Sequence, residues 1–172
     1  GIAEHYNKTF NTYQKITDLP NGVYAVSMSG FYRAGNAEPA YQAWKNKTAE
    51  AYYAKLYAVT GEDSVRTAII SPFEGIKPND SKGGNESNVT DGEYTYYIPN
   101  DRATLATYLD EGYYTGNKVL VGITDGTLII GLEKTQSIGG DWTPFDNWKL
   151  TYYGNKADAY QLWMNSVLDN YK

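Results

Sequence analysis

The sequence predicts an all-β fold, an antiparallel β-sandwich with one short inserted helix and an amphipathic C-terminal helix. About seven or eight short apolar runs are separated by turn residues, a pattern typical of sandwiches. Tyrosine accounts for 18 of the 172 residues, against four phenylalanines and four tryptophans. A tyrosine ring with its polar tip suits the half-buried surface of a sheet, so the composition favours the same fold class.

The first 70 residues are predicted to form mostly strands. The predicted strands cover residues 10–17, 23–32, 51–59 and 64–70, and an apolar, aromatic run follows at 94–98. In the second of them Tyr24, Val26 and Met28 alternate with smaller residues, so these three are assigned to the core. The turn at residues 19–22 combines a proline with Asn-Gly, which supply restricted and positive φ values. Residues 60–63 are predicted to join the third and fourth strands in a hairpin.

Two segments are predicted to lack regular strands. Residues 34–47 are assigned to a loop or a short helical turn that carries Tyr41 and Trp44. Residues 73–92 are polar and rich in turn residues. A loop of this length is usually functional or mobile, so this segment is predicted to be the least ordered part of the chain.

The next segment carries the inserted helix and the clearest turn signal. Residues 101–111 have helical spacing, with Asn100 or Asp101 as the N-cap and Gly112 as the C-cap. Residues 118–133 contain Asp-Gly between two alternating apolar runs. This is a strong short-range hairpin signal, so the sequence predicts that these two runs pair with each other.

The end of the chain combines the last strand with a helix. Residues 142–153 are predicted to close the sheet, and after Gly154 the apolar spacing becomes helical. The apolar positions of this helix are Tyr160, Trp163, Met164, Val167, Leu168 and Tyr171. We predict a sandwich domain over residues 1–154 and a terminal helix in residues 155–172. This helix is expected to pack on the sandwich or to lead into a following domain.

Composition excludes several classes of protein. The net charge of −5 and the absence of a basic run argue against nucleic-acid binding, which depends on cations that contact phosphate. The absence of cysteine excludes disulfides, thiol catalysis and thiolate metal sites. No stretch of 18 apolar residues is present, so no membrane insertion is expected. An aromatic content of 15% argues against disorder.

Several motifs lie along residues 3–154. They are AEHYN at 3–7, FNTYQ at 10–14, LPNGVY at 19–24, GFYRAG at 30–35, DWTPFDNWKL at 141–150 and YYG at 152–154. Together they resemble the galactose-binding-domain-like jelly rolls of secreted and surface proteins of gut bacteria. This group resembles carbohydrate-binding modules, found beside glycoside hydrolases or in adhesins. The resemblance implies a jelly roll, a secreted or cell-surface location, a glycan or polysaccharide partner and further domains of a larger chain.

Catalysis is not predicted. His5 is the single histidine, and no G-x-S-x-G motif and no cysteine accompany it. Glycoside hydrolysis needs two carboxyl groups about 5–10 Å apart. The acidic residues of this chain are scattered over predicted turns, and no pair of them is marked by an apolar pocket. A glycoside hydrolase is therefore the least favoured of the functions considered.

A metal site is considered at one residue only. Asp146 lies in Phe-Asp-Asn-Trp, and the resemblance implies a calcium-ligating aspartate at this position of the last strand. The alternative is that Asp146 and Asn147 form hydrogen bonds with the backbone of a loop. Calcium takes six to eight oxygen ligands, so spacing in the sequence does not choose between them. Apart from this structural calcium, no cofactor is predicted.

Sugar binding requires exposed aromatic rings beside polar groups, because rings stack on the C–H faces of sugars while polar groups bind the hydroxyls. Three segments have this composition: residues 33–44, residues 94–97 beside the polar loop, and residues 113–114. The candidate ligand-binding residues are Arg33, Tyr41, Trp44, Tyr113 and Tyr114. Structural roles are the alternatives: Trp44 closes the end of the sandwich, Arg33 pairs with a carboxylate, and one of the two adjacent tyrosines belongs to the core.

These observations predict a non-catalytic carbohydrate-binding or adhesin-like module of an exported bacterial protein. The alternative is a structural spacer or protein-interaction domain without a small ligand. The two hypotheses differ in one observable property. A carbohydrate-binding module should present exposed rings together in one groove or on one rim, whereas a spacer should bury or scatter them.

Overall fold

The computed structural model describes residues 1–170, and its architecture confirms the predicted antiparallel β-sandwich with short helices. The strands are β1 Ala3–Tyr6, β2 Phe10–Ile16, β3 Gly22–Gly30, β4 Ala54–Val59, β5 Ser64–Ala68, β6 Glu86–Asp91, β7 Tyr94–Pro99, β8 Asn117–Ile123, β9 Leu128–Lys134 and β10 Trp142–Gly154. The helices are α1 Ala37–Asn46, α2 Arg102–Asp110 and α3 Ala157–Asp169, with a 3₁₀ turn at Ala49–Tyr52.

Two four-stranded antiparallel sheets form the sandwich. The first sheet has the order β1-β10-β3-β8 and the second has the order β2-β9-β4-β5. Strands β6 and β7 form a separate two-stranded hairpin. Tyr24, Val26 and Met28 point from β3 into the core between the sheets, as predicted from their alternation. Leu56 and Leu132 meet them from the second sheet, so the core lies between the two layers.

The predicted hairpin at Asp125-Gly126 is wrong. Strand β8 pairs with β3 in the first sheet, and β9 pairs with β2 and β4 in the second. The short connection therefore crosses from one sheet to the other. Both strands turn their apolar residues into the core, where Val121 and Ile130 belong to the same cluster. The turn is stabilised by contacts within it, because the Asp125 carboxylate accepts hydrogen bonds from the backbone N–H and the hydroxyl of Thr127.

Two predicted irregular segments contain regular structure. Residues 37–46 form α1, a helix of ten residues, and Lys47 directly after it has a left-handed backbone with φ 54°. Residues 86–91 form β6, inside the segment predicted to be least ordered. The helix predicted over 101–111 is confirmed as α2. Asp101 is its N-cap and accepts a hydrogen bond of 2.8 Å from the backbone N–H of Thr104.

Helix α3 packs on the outer face of the first sheet. Ala159 and the partly buried Trp163 contact Ala25 and Leu120 there. The predicted helical position Tyr171 lies outside the described residues. The division into residues 1–154 and 155–172 stays a prediction, as does the narrower assignment to a galactose-binding-like jelly roll. Within residues 1–170, no helix has the length and apolar character needed to cross a bilayer.

Candidate functional site

One polar cleft of about 570 Å³ lies where β1, β10 and the first turns of α1 and α2 come together. We call it the Arg33 cleft. Its lining residues are Glu4, Tyr6, Arg33, Asn36, Asn100, Asp101, Arg102 and Trp142. Of the five ligand-binding residues predicted from the sequence, Arg33 alone belongs to this lining.

Backbone pairing brings these side chains together. Strand β1 pairs with β10, so that Glu4 lies opposite Pro144 and Tyr6 opposite Trp142. Arg33 lies just after β3 and bridges to Trp142 through two backbone hydrogen bonds of 2.8 and 3.1 Å. Asn36 and Asp101 are the N-cap residues of α1 and α2. The cleft is therefore built from regular elements and their immediate ends, which hold its side chains in place.

Arg33 is a buried cation that no carboxylate of residues 1–170 contacts directly. Its residue is 5% exposed. The guanidinium donates from Nε to the carbonyl of Gly35 at 2.9 Å, from Nη1 to Oδ1 of Asn100 at 2.8 Å and from Nη2 to the carbonyl of Gly140 at 3.0 Å. It forms no ion pair within residues 1–170. Burial lowers the pKa of this guanidinium below its usual value. The pairing with a carboxylate considered from the sequence is thus replaced by three neutral acceptors.

The two carboxylates of the cleft are already occupied by protein donors. Glu4 accepts a hydrogen bond of 2.7 Å from Nε1 of Trp142 and lies 3.4 Å from Nε of Arg102. Asp101 accepts from the backbone of Thr104 and, at 3.2 Å, from the side chain of Asn85. The hydrogen bond from the Thr104 backbone lowers the pKa of Asp101. Both groups therefore serve as hydrogen-bond acceptors within the fold.

Tyr6 supplies the exposed ring of this cleft. It is 58% exposed and sits at the end of β1. The indole of Trp142 is buried beneath, in edge contact with Phe31 and 5.4 Å from the guanidinium carbon of Arg33. One ring of the cleft is thus open to a ligand, while the other supports Arg33.

Tyr41 and Trp44 lie elsewhere, on α1. Tyr41 is buried against Phe73 and donates a hydrogen bond of 2.7 Å to Asp91. That hydrogen bond and burial raise the pKa of Tyr41. Trp44 is partly buried against the same Phe73 and donates to Glu74 at 3.0 Å. These contacts make α1 the support of a small secondary core, and the buried ring of Tyr41 has no face open to a sugar.

Tyr113 and Tyr114 form a third group after α2. Tyr114 is buried, and its hydroxyl donates to the carbonyl of Pro72 at 2.7 Å. Burial raises the pKa of this phenol. Tyr113 is partly buried under the ammonium of Lys82, at 5.2 Å from its ring centre. One of the two adjacent tyrosines thus belongs to the core. The ligand-binding roles proposed from the sequence for these residues stay predictions.

A second aromatic groove lies at the edge of the sandwich. It measures about 250 Å³ and is lined by Thr12, Tyr13, Gln14, Ile130 and Trp148. Tyr13 is 62% exposed, whereas Trp148 is partly buried against the main core. The charged groups found in the Arg33 cleft are missing from this lining. It therefore offers apolar contact with few groups that would orient a ligand.

Asp146 lies outside the Arg33 cleft. It lines a neighbouring shallow pocket of about 490 Å³ with Asn147, Ile2 and Arg102. Within residues 1–170, no group of three or more histidine, aspartate or glutamate side chains could hold a metal ion. Calcium, which also binds carbonyl oxygens, stays a prediction at this position.

Sequence reasoning missed most of the cleft. Glu4 and Tyr6 share one face of β1, and strand alternation would have grouped them had this short segment been assigned as a strand. Asn36 and Asn100 were overlooked because their proximity depends on where two distant helices begin. Comparison with known protein families, with curated proteins and with solved structures gives no match for this chain. Function must therefore be argued from the geometry of the chain itself.

Proposed function

We propose that this chain is a non-catalytic carbohydrate-binding module of a secreted or cell-surface bacterial protein, and that the sugar binds in the Arg33 cleft. The observation that carries the proposal is the exposed ring of Tyr6 beside the polar groups of Arg33 and Asn36. A volume of about 570 Å³ falls within the range of small-ligand sites.

The chemistry of the cleft suits a sugar ring. A saccharide has apolar C–H faces and a rim of hydroxyl groups, so its site needs a flat apolar surface with polar groups around it. Tyr6 offers the flat surface. Asn36 forms no capping hydrogen bond with α1, so its amide is free to bind a hydroxyl. Arg102 lies at the same rim with its side chain mostly exposed.

The absence of catalysis is supported by the state of the carboxylates. A general acid needs a raised pKa near the working pH, and hydrolysis of a glycoside needs a second carboxylate facing the substrate. In this cleft the pKa of Asp101 is lowered, and Glu4 is held by Trp142. Binding without reaction is therefore the favoured role.

The alternative of a protein-interaction domain is favoured by one observation. Leu162, Met164 and Leu168 are exposed on α3. Apolar side chains grouped on one helix are typical of a contact surface. Failure of the whole chain to bind any glycan, with its fold intact, would leave this function as the better proposal.

The proposal is tested with a glycan array, followed by titration calorimetry with the best ligand. We expect Tyr6→Ala to weaken binding about tenfold or more, since the loss of a buried aromatic contact has about that effect. Tyr94→Ala is the matched control, because Tyr94 is an exposed tyrosine outside the cleft lining. If Tyr13→Ala abolished binding while Tyr6→Ala did not, the groove lined by Tyr13 and Trp148 would replace the Arg33 cleft as the site.

A further inference from the structure

We infer that the sugar bound in the Arg33 cleft is acidic and that Arg33 binds its carboxylate. This inference rests on the proposed function and adds the class of ligand to it. Three features of the cleft carry it: a buried cation that no carboxylate of residues 1–170 contacts directly, hydrogen-bond donors that remain available, and acceptors that already hold protein donors.

The buried cation comes first. A charged side chain inside a protein is normally paired with an opposite charge, because its removal from water is unfavourable. Arg33 is 5% exposed and forms no ion pair within residues 1–170. Its partners are two backbone carbonyls and one amide oxygen. An anionic ligand would supply a carboxylate in direct contact with the guanidinium.

The donors of Arg33 are only partly used. Nη1 and Nη2 each donate one hydrogen bond, to Asn100 and to Gly140, and each keeps a second N–H group. Two parallel N–H groups match the two oxygens of a carboxylate. Because Arg33 lines the cleft, a planar anion entering beside Tyr6 can reach the guanidinium.

Arg102 adds further donors at the rim of the cleft. Its contacts are long, 3.4 Å from Nε to Oε1 of Glu4 and 3.5 Å from Nη1 to the carbonyl of Ile2. A ligand with a stronger acceptor can compete for these N–H groups. The N-terminus of α1, capped by Asn36 without a side-chain hydrogen bond, adds partial positive charge on the same side.

The acceptor groups of the cleft differ from its donors, because each already has a protein partner. Glu4 accepts from Trp142, Asp101 accepts from Thr104 and Asn85, and the side-chain oxygen of Asn100 accepts from Arg33. A neutral sugar needs acceptors for its hydroxyl protons as well as donors. The N–H groups that remain on Arg33 and Arg102 favour a ligand rich in acceptors. The carboxylates of Glu4 and Asp101 oppose an anion, but each is already held by donors from the protein.

The test is a titration of the whole chain with sugars, monitored by ¹H–¹⁵N correlation spectra. The acidic probes are D-galacturonate and D-glucuronate, and the matched neutral probes are D-galactose and D-glucose. We expect each acidic sugar to bind at least about tenfold more tightly than its neutral counterpart, the effect of one charge-assisted hydrogen-bond pair. The shifted signals should include the Arg33 Nε–H and the backbone amides near Asn36.

Two variants sharpen the assignment. Arg33→Lys keeps the charge but loses the planar pair of donors, so acidic-sugar affinity should fall about tenfold or more, and by more than neutral-sugar affinity does. Arg102→Gln removes an exposed cation and spares the buried one, and we expect a smaller loss. Arg66→Gln is the matched control, because Arg66 pairs with Glu133 on the second sheet. The spectra of each variant also report whether its fold is intact.

The outcomes separate the inference from the proposed function. Equal affinity for acidic and neutral sugars in the cleft would overturn the inference and leave carbohydrate binding standing. Binding of D-galactose 6-sulfate but of neither uronate would overturn the assignment to a carboxylate. Signal shifts confined to residues outside the cleft would show that the sugar binds elsewhere and would overturn the Arg33 cleft as the site. Failure of every sugar to bind would overturn both proposals.

Discussion

Two buried cations, far apart in the sequence, contact the adjacent residues Gly140 and Asp141 and have different partners in the fold. Lys134 is 2% exposed and forms an ion pair with Asp141, which is fully buried. Arg33 is 5% exposed and donates to the carbonyl of Gly140, the residue next to that aspartate. Lys134 thus contacts a carboxylate directly, whereas the hydrogen-bond acceptors of Arg33 within residues 1–170 are all neutral.

The environment of Asp141 explains why the first pair is structural. This carboxylate accepts hydrogen bonds from Lys134, from the hydroxyl of Ser137 and from the backbone N–H of Ile138 at 2.9 Å. The hydroxyl of Tyr32 lies at 3.4 Å, and burial together with this carboxylate raises the pKa of that phenol. The charge is satisfied within the fold, so no group remains for a ligand. In the Arg33 cleft some donors remain, which is the condition for binding.

The largest effect is expected when the Lys134–Asp141 pair is broken. Lys134→Met leaves a buried carboxylate without its counter-charge, and the free energy of unfolding should fall by about 3–5 kcal/mol. Urea-induced unfolding measures this loss. The double variant Lys134→Met with Asp141→Leu should recover part of it, because an apolar pair can replace a buried ion pair. A loss below about 1 kcal/mol in the single variant would contradict a structural role for the pair.

A smaller effect is expected at the second cation. Arg33→Met leaves no hydrogen-bonded carboxylate without its partner. Three neutral acceptors lose their donor. Stability should fall by about 1–3 kcal/mol, less than for Lys134→Met. Arg66→Met, at an exposed ion pair, serves as the control and should cost within about 1 kcal/mol. The contrast between the two cations fails if Arg33→Met destabilises the protein as much as Lys134→Met does.

The smallest effect concerns a carboxylate of the cleft. Asp101→Ala removes the N-cap of α2 and should lower stability at pH 7 by about 1 kcal/mol. The folded protein lowers the pKa of Asp101 below its ordinary value of 3.8. The contribution of its charge is therefore present above pH 3.8 and is lost as the pH falls through the lowered pKa.

Urea-induced unfolding at pH 7 and pH 2 tests this dependence. The difference between the wild-type protein and Asp101→Ala should shrink in acid. Asp110→Ala is the control, because Asp110 lies at the opposite end of α2, where an acidic side chain opposes the helix dipole. A difference that stays constant with pH would mean that Asp101 contributes through packing and not through its charge.

The sequence predicted the sandwich from local patterns, which were reliable where one strand face was clearly apolar. Tyr24, Val26 and Met28 were assigned to the correct face for this reason. The Asp-Gly turn was assigned correctly as a turn but not as a hairpin, because a turn does not determine whether its strands pair in one sheet or face each other across two. In β8 and β9, apolar residues that face the same core decide this.

Helix α1 was predicted only as a loop or a short helical turn, although the signals of a full helix are present. Asn36 stands at the N-cap and Pro39 lies in the first turn, where proline is tolerated. The candidate site was harder to predict, because a tyrosine suits both a core and a surface. Tyr41 is buried and Tyr6 is exposed, and nothing adjacent to either residue in the sequence distinguishes them. Their difference arises from tertiary packing.

The contact between α3 and the first sheet depends on one missing side chain. A Cβ atom at Gly122 would lie 2.8 Å from the ring of Trp163, so the indole rests directly on the backbone of β8. Beneath it Ala25 and Leu120 are covered by the helix. A single methyl group added at Gly122 would therefore push the helix away from the sheet and expose an apolar surface. Gly122 is thus the position at which one substitution would separate the terminal helix from the sandwich.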